Sequence, residues 1–160
     1  MRCETQRCMV CGDNVHCYDK VTVMISACGV LCSDCPAYLG KSKGVAHQKR
    51  TAAAWRRIYR LNEPFENVSC GGCLGPEDQL FHSSRRCKAQ LCCRSKGFGT
   101  CAECSMEGCL VLEKAQSVWD GVPELVKILS SEDFLKYAKP YCGHRQRLME
   151  ACRAPSRRLR

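Results

Sequence analysis

The chain has 160 residues and a formal net charge of +9, from 25 Lys and Arg against 16 Asp and Glu. Among the hydrophobic residue types only cysteine is unusually frequent, with 17 residues, and aromatic residues make up only 7% of the chain. So few large apolar residues predict a thin core that needs metal or covalent crosslinks. The uncharged stretch 21–32 is too short for a bilayer that needs roughly twenty residues, which argues against a membrane protein.

The first 23 residues hold cysteines but little periodic pattern: Cys3, Cys8, Cys11 and Cys17. Cys8-x2-Cys11 has the internal spacing of a metal knuckle. We favour the alternative that Met24 is the usual start, so that residues 1–23 are a disordered or non-native extension. Residues 24–139 would then form the Cys-rich domain, and residues 140–160 a C-terminal helix with a basic tail.

The redox state of the cellular compartment decides whether the cysteines form disulfides or bind metal. Charged residues interrupt any early apolar run, so we expect no secretory signal and a cytoplasmic location. Cytosolic thiols stay reduced, and spaced cysteines there more often hold metal than disulfides. We therefore predict that the cysteines bind metal.

Ten cysteines in paired spacings are the predicted metal ligands: Cys28, Cys32, Cys35, Cys70, Cys73, Cys87, Cys92, Cys101, Cys104 and Cys109. Two thiolates separated by two residues place their sulfurs about 4 Å apart, the tetrahedral edge that zinc requires. Cys70-x2-Cys73 with Cys101-x2-Cys104 is the strongest zinc signal. Cys87 and Cys92 lie between these pairs, so the ligand pairing stays open.

The triplet Cys28-x3-Cys32-x2-Cys35 also fits a 4Fe-4S cluster, and Cys35-Pro36 resembles the end of a ferredoxin motif. The spacing is that of radical-SAM enzymes too, but Asp34 replaces the usual aromatic residue and the chain is too short for their barrel. Zinc is the expected cofactor and an iron-sulfur cluster the alternative.

Helical periodicity appears on both sides of the cysteine-rich part. Residues 45–61 predict a helix that Asn62-Glu63-Pro64 ends. Residues 70–109 predict loops and short turns around ions. A further helix follows Cys109, with Val111, Ala115, Val118 and Trp119 on one face. Ser130 with Asp133 predicts the start of the next helix, and a last helix covers residues 145–152.

Catalysis and nucleic-acid binding have weaker support. The four histidines at 16, 47, 82 and 144 form no motif, and His82 is expected to be an exposed loop residue. No phosphate-binding loop is present, so we do not expect an enzyme. The basic residues of the predicted helix permit nucleic-acid binding but are more typical of a solvated face: Lys49, Arg50, Arg56, Arg57 and Arg60.

Residues 25–38 read ISACGVLCSDCPAY and closely resemble the opening of a cysteine-rich family, domain of unknown function 3795. Stretches 70–75, 87–97 and 101–113 resemble its later motifs in the same order, and the resemblance covers about residues 24–139. It implies a bacterial or archaeal protein that binds metal through these cysteines, with no established reaction. Cys93 departs from the family, which usually has a small residue there. Cys93, Cys142 and Cys152 are interpreted as free or buried thiols.

These observations predict a small, mainly helical metalloprotein domain, with irregular Cys-rich loops around metal sites flanked by helices. The expected function is a metal-binding interaction module with an unknown protein partner, organised by zinc. An iron-sulfur protein in electron transfer or redox sensing is the first alternative, and a nucleic-acid-binding module is the second.

Replacing Cys73 or Cys104 by Ser is expected to lower the free energy of unfolding by about 3 kcal/mol or more, because a structural metal site contributes folding energy. Cys152→Ser is the control and should change it by less than about 0.5 kcal/mol. Urea unfolding of the three variants measures the difference. Equal tolerance at all three positions would show that the ligand assignment is wrong.

Overall fold

The computed structural model describes residues 24–153. The extension predicted for residues 1–23, with its cysteine group, lies outside this range, as does the end of the basic tail. Within the range the chain forms five α-helices joined by short 3-10 turns and irregular loops, and the β pairing there is an isolated bridge between Ile25 and Leu31. The predicted mainly helical, cysteine-rich fold is confirmed.

The helices are α1 Pro36–Tyr59, α2 Lys88–Lys96, α3 Leu110–Ser117, α4 Ser131–Tyr137 and α5 His144–Arg153. The 3-10 helices are Cys32–Asp34, Phe65–Asn67, Glu77–Gln79, His82–Arg86, Cys101–Glu103, Val122–Lys127 and Lys139–Tyr141. No helix in residues 24–153 combines the length and apolarity that a membrane crossing requires.

Helix α1 is longer than predicted at its start and ends two residues earlier. It begins at Pro36, where a missing N–H breaks no helical hydrogen bond. At Gly44 the backbone leaves helical geometry (φ 73°, ψ −173°), a conformation available to glycine, and the helix then resumes. Arg60 is left-handed (φ 57°) and caps the end through its N–H to the Trp55 carbonyl oxygen. The glycines before residue 45 hid this first segment from sequence analysis.

The prediction of loops throughout residues 70–109 is wrong at α2. This nine-residue helix buries Ala89, Gln90 and Cys93 and ends at left-handed Gly97. Its apolar face includes a cysteine that acts as a small hydrophobic residue. The predicted ligands of this segment were interpreted as parts of metal-binding loops, so the helical spacing of the buried residues in α2 was not recognised.

The C-terminal helices follow the predicted order. Ser130 Oγ accepts the N–H of Asp133 at 3.2 Å, so the predicted start of α4 is confirmed. The predicted face of α3 is partly wrong, because Leu112 and Gln116 are buried whereas Val118 is exposed. The last helix lies within one residue of its predicted bounds.

Two apolar clusters form the core. The smaller packs α1 against the segment after it and contains Ala37, Ala52, Trp55 and Val68. The larger joins the first cysteine-containing loop to the C-terminal helices and contains Cys28, Val30, Ala102, Leu112, Val122, Phe134, Ala138, Tyr141, Cys142 and Leu148. Partly buried Tyr59 and Cys35 pack against both clusters.

Residues 26–32 form a loop that is bonded to distant parts of the chain, and we call it the hub loop. The Ala27 carbonyl accepts the N–H of Cys101 at 3.0 Å. Gln116 of α3 donates to the Cys28 carbonyl at 3.1 Å, and Arg147 of α5 donates to the Gly29 carbonyl at 2.8 Å. The hub loop therefore fixes the predicted metal ligands relative to the C-terminal helices.

Gly29 is the tightest point of this packing. Its φ is +96°, and a Cβ there would lie 2.1 Å from the His144 carbonyl oxygen. Gly29→Ala is therefore expected to lower the free energy of unfolding by about 3 kcal/mol or more.

The matched control is Gly97→Ala, since Gly97 also has a positive φ of +68° but a Cβ there meets nothing within 4 Å. Its expected loss is about 1 kcal/mol, from backbone strain alone. Denaturant unfolding compares the two. Equal losses would contradict the close packing of the hub loop on α5.

Candidate metal centre

The ten predicted ligands lie in two neighbouring groups. The N-terminal thiol group comprises Cys28, Cys32, Cys35, Cys70, Cys73 and Cys87, each of which has an electrostatic effect on, or from, at least one other member of the group. The C-terminal thiol group comprises Cys92, Cys101, Cys104 and Cys109, which line one small cavity. Cys28 and Cys101 are electrostatic neighbours, so the two groups adjoin at the hub loop.

Helix α2 explains why Cys87 and Cys92 lie in different groups. Cys87 is the N-cap of the helix and Cys92 lies in its second turn. Five helical positions correspond to a rise of about 7.5 Å and a rotation of about 140°, so two such side chains point in different directions. The Cys-x4-Cys spacing suggested a pair in the sequence, and the helix separates it.

In the N-terminal thiol group, two Cys-x2-Cys segments come together. The pKa of Cys32 is raised first by burial and then by its neighbours Cys73, Cys35 and Cys70. Burial also raises the pKa of Cys73, to about 12. The sequence suggested that Cys70-x2-Cys73 pairs with Cys101-x2-Cys104. In the structure, Cys70 and Cys73 are electrostatic neighbours of Cys32, so this pair also lies near Cys32-x2-Cys35.

Polar groups contact three sulfurs of this group. Tyr141 Oη lies 3.6 Å from Cys35 Sγ, and Ser26 Oγ lies 3.3 Å from Cys28 Sγ. The Gly72 N–H donates to Cys70 Sγ at 3.3 Å. Burial raises the pKa of Cys28 and Cys35, and the Ser26 and Tyr141 contacts oppose that rise. Donors at sulfur stabilise a thiolate, the form that binds metal.

The C-terminal thiol group is built from α2, a capped turn and the start of α3. Thr100 Oγ1 accepts the Ala102 N–H at 3.2 Å, and the Glu103 carboxylate accepts the Thr100 N–H at 3.1 Å. This capping box fixes the turn that carries Cys101. Cys109 is the N-cap of α3, which packs against α2.

The cavity that these four thiols line has a volume of about 40 Å³. That is room for about three water molecules, so a group larger than one ion would fit between the residues that line it. Lys96 Nζ lies 3.6 Å from Cys104 Sγ at its rim, and the charges of Cys104 and Cys92 raise the pKa of Lys96. A cation at this position compensates part of the negative charge that several thiolates would carry.

Cys93 is a further thiol at this cavity. It was interpreted as an ordinary buried thiol, and it is indeed only 2% exposed. Its Sγ nevertheless lies 3.6 Å from Cys101 Sγ. Burial raises the pKa of both cysteines, and their mutual contact raises that of Cys101 further.

None of the thirteen cysteines in residues 24–153 forms a disulfide. Over the same residues, no three Cys, His, Asp or Glu side chains converge closely enough to hold one metal ion. The thiols therefore lie near one another but do not converge on one metal position. The donor set is nonetheless what a thiolate-bound metal needs, because it is rich in sulfur and lies beside hydrogen-bond donors.

The basic residues of α1 and of its C-cap that suggested nucleic-acid binding are exposed, and two of them have partners within the chain. Arg57 forms an ion pair with Asp133 at 2.6 Å, and Lys49 Nζ lies 4.9 Å from the centre of the Phe65 ring. Nucleic-acid binding remains an untested prediction.

The sequence did not predict that Tyr141 and Lys96 lie beside the thiol groups, or that Cys93 lies next to Cys101. Lys96 follows Cys92 by four residues, which places both on one helical face, so a predicted α2 would have revealed it. Tyr141 is 106 residues from Cys35 and leaves no local signal.

The chain matches the family described as "Protein of unknown function (DUF3795)" over residues 24–114. The match begins at Met24 and contains all ten predicted ligands. No curated protein matches the chain, and no solved structure does either.

Proposed function

The chain belongs to the DUF3795 family of proteins of unknown function, and we propose that it is a metal-binding protein whose two thiol groups hold metal and organise the fold. The observation that carries the proposal is the gathering of ten cysteines, from separate segments of residues 24–153, without a disulfide. Closed all-thiolate sites are usually structural, so the role that fits best is an interaction module for a protein partner.

Zinc is the proposed cofactor of the N-terminal thiol group. The support is the adjacency of Cys32-x2-Cys35 and Cys70-x2-Cys73, because two such pairs supply the four thiolates of a tetrahedral zinc site. Zinc would be held by these four sulfurs, with Cys28 and Cys87 beside them. Metal binding and folding are coupled in such sites, so the thiols would draw together when the ion binds.

An iron-sulfur cluster is the second candidate, at the C-terminal thiol group. The cavity favours it, because four thiolates bind four different irons of a 4Fe-4S cluster and therefore stand around a volume. Cys92, Cys101, Cys104 and Cys109 would be its ligands. Lys96 would then donate to a ligand sulfur, a contact of the kind that tunes reduction potentials.

Anaerobic purification followed by zinc, iron and acid-labile sulfide analysis tests the proposal. We expect about one zinc per chain at the N-terminal thiol group. The C-terminal thiol group adds either a second zinc, or iron with matching sulfide and a broad visible absorption. A folded protein that contains neither metal would contradict the proposal.

Single substitutions assign each metal to its group. Cys35→Ser should remove the metal of the N-terminal thiol group, and Cys104→Ser that of the C-terminal thiol group. Cys152→Ser is the matched control and should keep both, since Cys152 is exposed and lies near the end of α5. Loss of the same metal from both ligand variants would contradict the division into two centres.

A further inference from the structure

Cys93 and Cys101 form a close thiol pair that metal binding by the ten predicted ligands does not explain. Their sulfurs are 3.6 Å apart, and both residues line the cavity of the C-terminal thiol group. Cys92 precedes Cys93 on α2, and neighbouring helical residues point about 100° apart. The helix therefore supplies two thiols to this cavity in different directions, and one of them meets Cys101.

We propose that Cys93 and Cys101 are an oxidative modification site, at which a peroxide converts the two thiols into a disulfide. The metal-related part of this inference rests on the proposed function, since it takes Cys101 as a metal ligand. The pairing itself rests on the sulfur positions alone.

The geometry favours Cys101 as the residue that meets the oxidant. Cys101 is partly exposed at the cavity, whereas Cys93 is 2% exposed. A disulfide has a sulfur–sulfur length of about 2.05 Å, so modest rotation of the two side chains has to close the gap. A capping box formed by Thr100 and Glu103 holds the turn that carries Cys101.

The reaction balances with one peroxide. The sulfur of Cys101 attacks one oxygen of hydrogen peroxide, the O–O bond breaks, and a sulfenic acid and water result. The sulfur of Cys93 then attacks the Cys101 sulfur, and a second water leaves as the S–S bond forms. The two thiols give up two electrons and two protons, and the peroxide is reduced to two waters.

Disulfide formation has a direct consequence for the C-terminal thiol group. A sulfur bound in a disulfide is no longer a thiolate ligand, so oxidation would reduce four ligands to three. Metal at this group would then be released, and a thiol reductant would restore the site.

Peptide mapping after peroxide treatment tests the pair. The anaerobically purified protein, with its metal, is exposed to a small excess of hydrogen peroxide, alkylated and digested with trypsin. Cleavage after Lys88, Arg94, Lys96 and Lys114 puts Cys93 in peptide 89–94 with Cys92, and Cys101 in peptide 97–114 with Cys104 and Cys109. Fragment-ion sequencing of the linked peptides therefore has to locate the bond at Cys93 and Cys101. We expect these peptides to appear cross-linked, two hydrogens lighter than their sum, with release of the metal in the same interval.

Variants distinguish the proposed pair from its neighbours. Cys93→Ala should abolish the cross-link and keep the metal in place under the same treatment. Cys142→Ala is the matched control, because Cys142 is similarly buried at 3% exposure but lies outside the cavity lining, and it should behave as the parent. A cross-link that persists in Cys93→Ala, or fails to form in the parent protein, overturns the proposal.

Metal binding and the Cys93–Cys101 disulfide are distinguished by separate outcomes. Metal present without a cross-link overturns this inference and leaves the proposed function standing. A cross-link in protein that carries no metal supports the thiol pair and overturns the proposed function.

Discussion

The hydrogen bonds and packing of the hub loop are the interactions on which the rest of the structure depends. The main-chain carbonyls of three of its residues, Ala27, Cys28 and Gly29, accept hydrogen bonds from the turn of Cys101, from α3 and from α5, and would otherwise be buried without partners. Gly29 permits this approach because α5 leaves no room for a Cβ. The same loop carries the first two cysteines of the N-terminal thiol group, so helix packing and thiol position are set together.

The two thiol groups are therefore parts of one arrangement. The hub loop joins them on one side, and α2 joins them on the other, with Cys87 before its first turn and Cys92 in its second. Apolar burial alone is modest here, since four of the buried core positions are themselves cysteines: Cys28, Cys32, Cys93 and Cys142. Metal at both groups would crosslink the loops that the helices leave unsupported. The proposed structural role of the metal is this stabilisation of the loops.

Local patterns in the sequence predicted much of this structure, and distant contacts were beyond them. The N-cap of α4 at Ser130 and the bounds of α5 follow from capping and periodicity, which act over a few residues. Helix α2 was missed because its cysteines were read as ligands of one loop. The division of the ten cysteines into two thiol groups depends on side-chain directions along α2 and on hydrogen bonds from the hub loop to residues more than 70 positions away. The spacing of cysteines in the sequence carries no information on either.

Far-UV circular dichroism during anaerobic metal removal tests the central claim most directly, that metal held by the thiol groups organises the fold. Chelation at neutral pH, with the loss of metal verified, is expected to abolish most of the helical signal, and returning the metal should restore it. Undiminished helical signal in protein shown to be free of metal would contradict the claim.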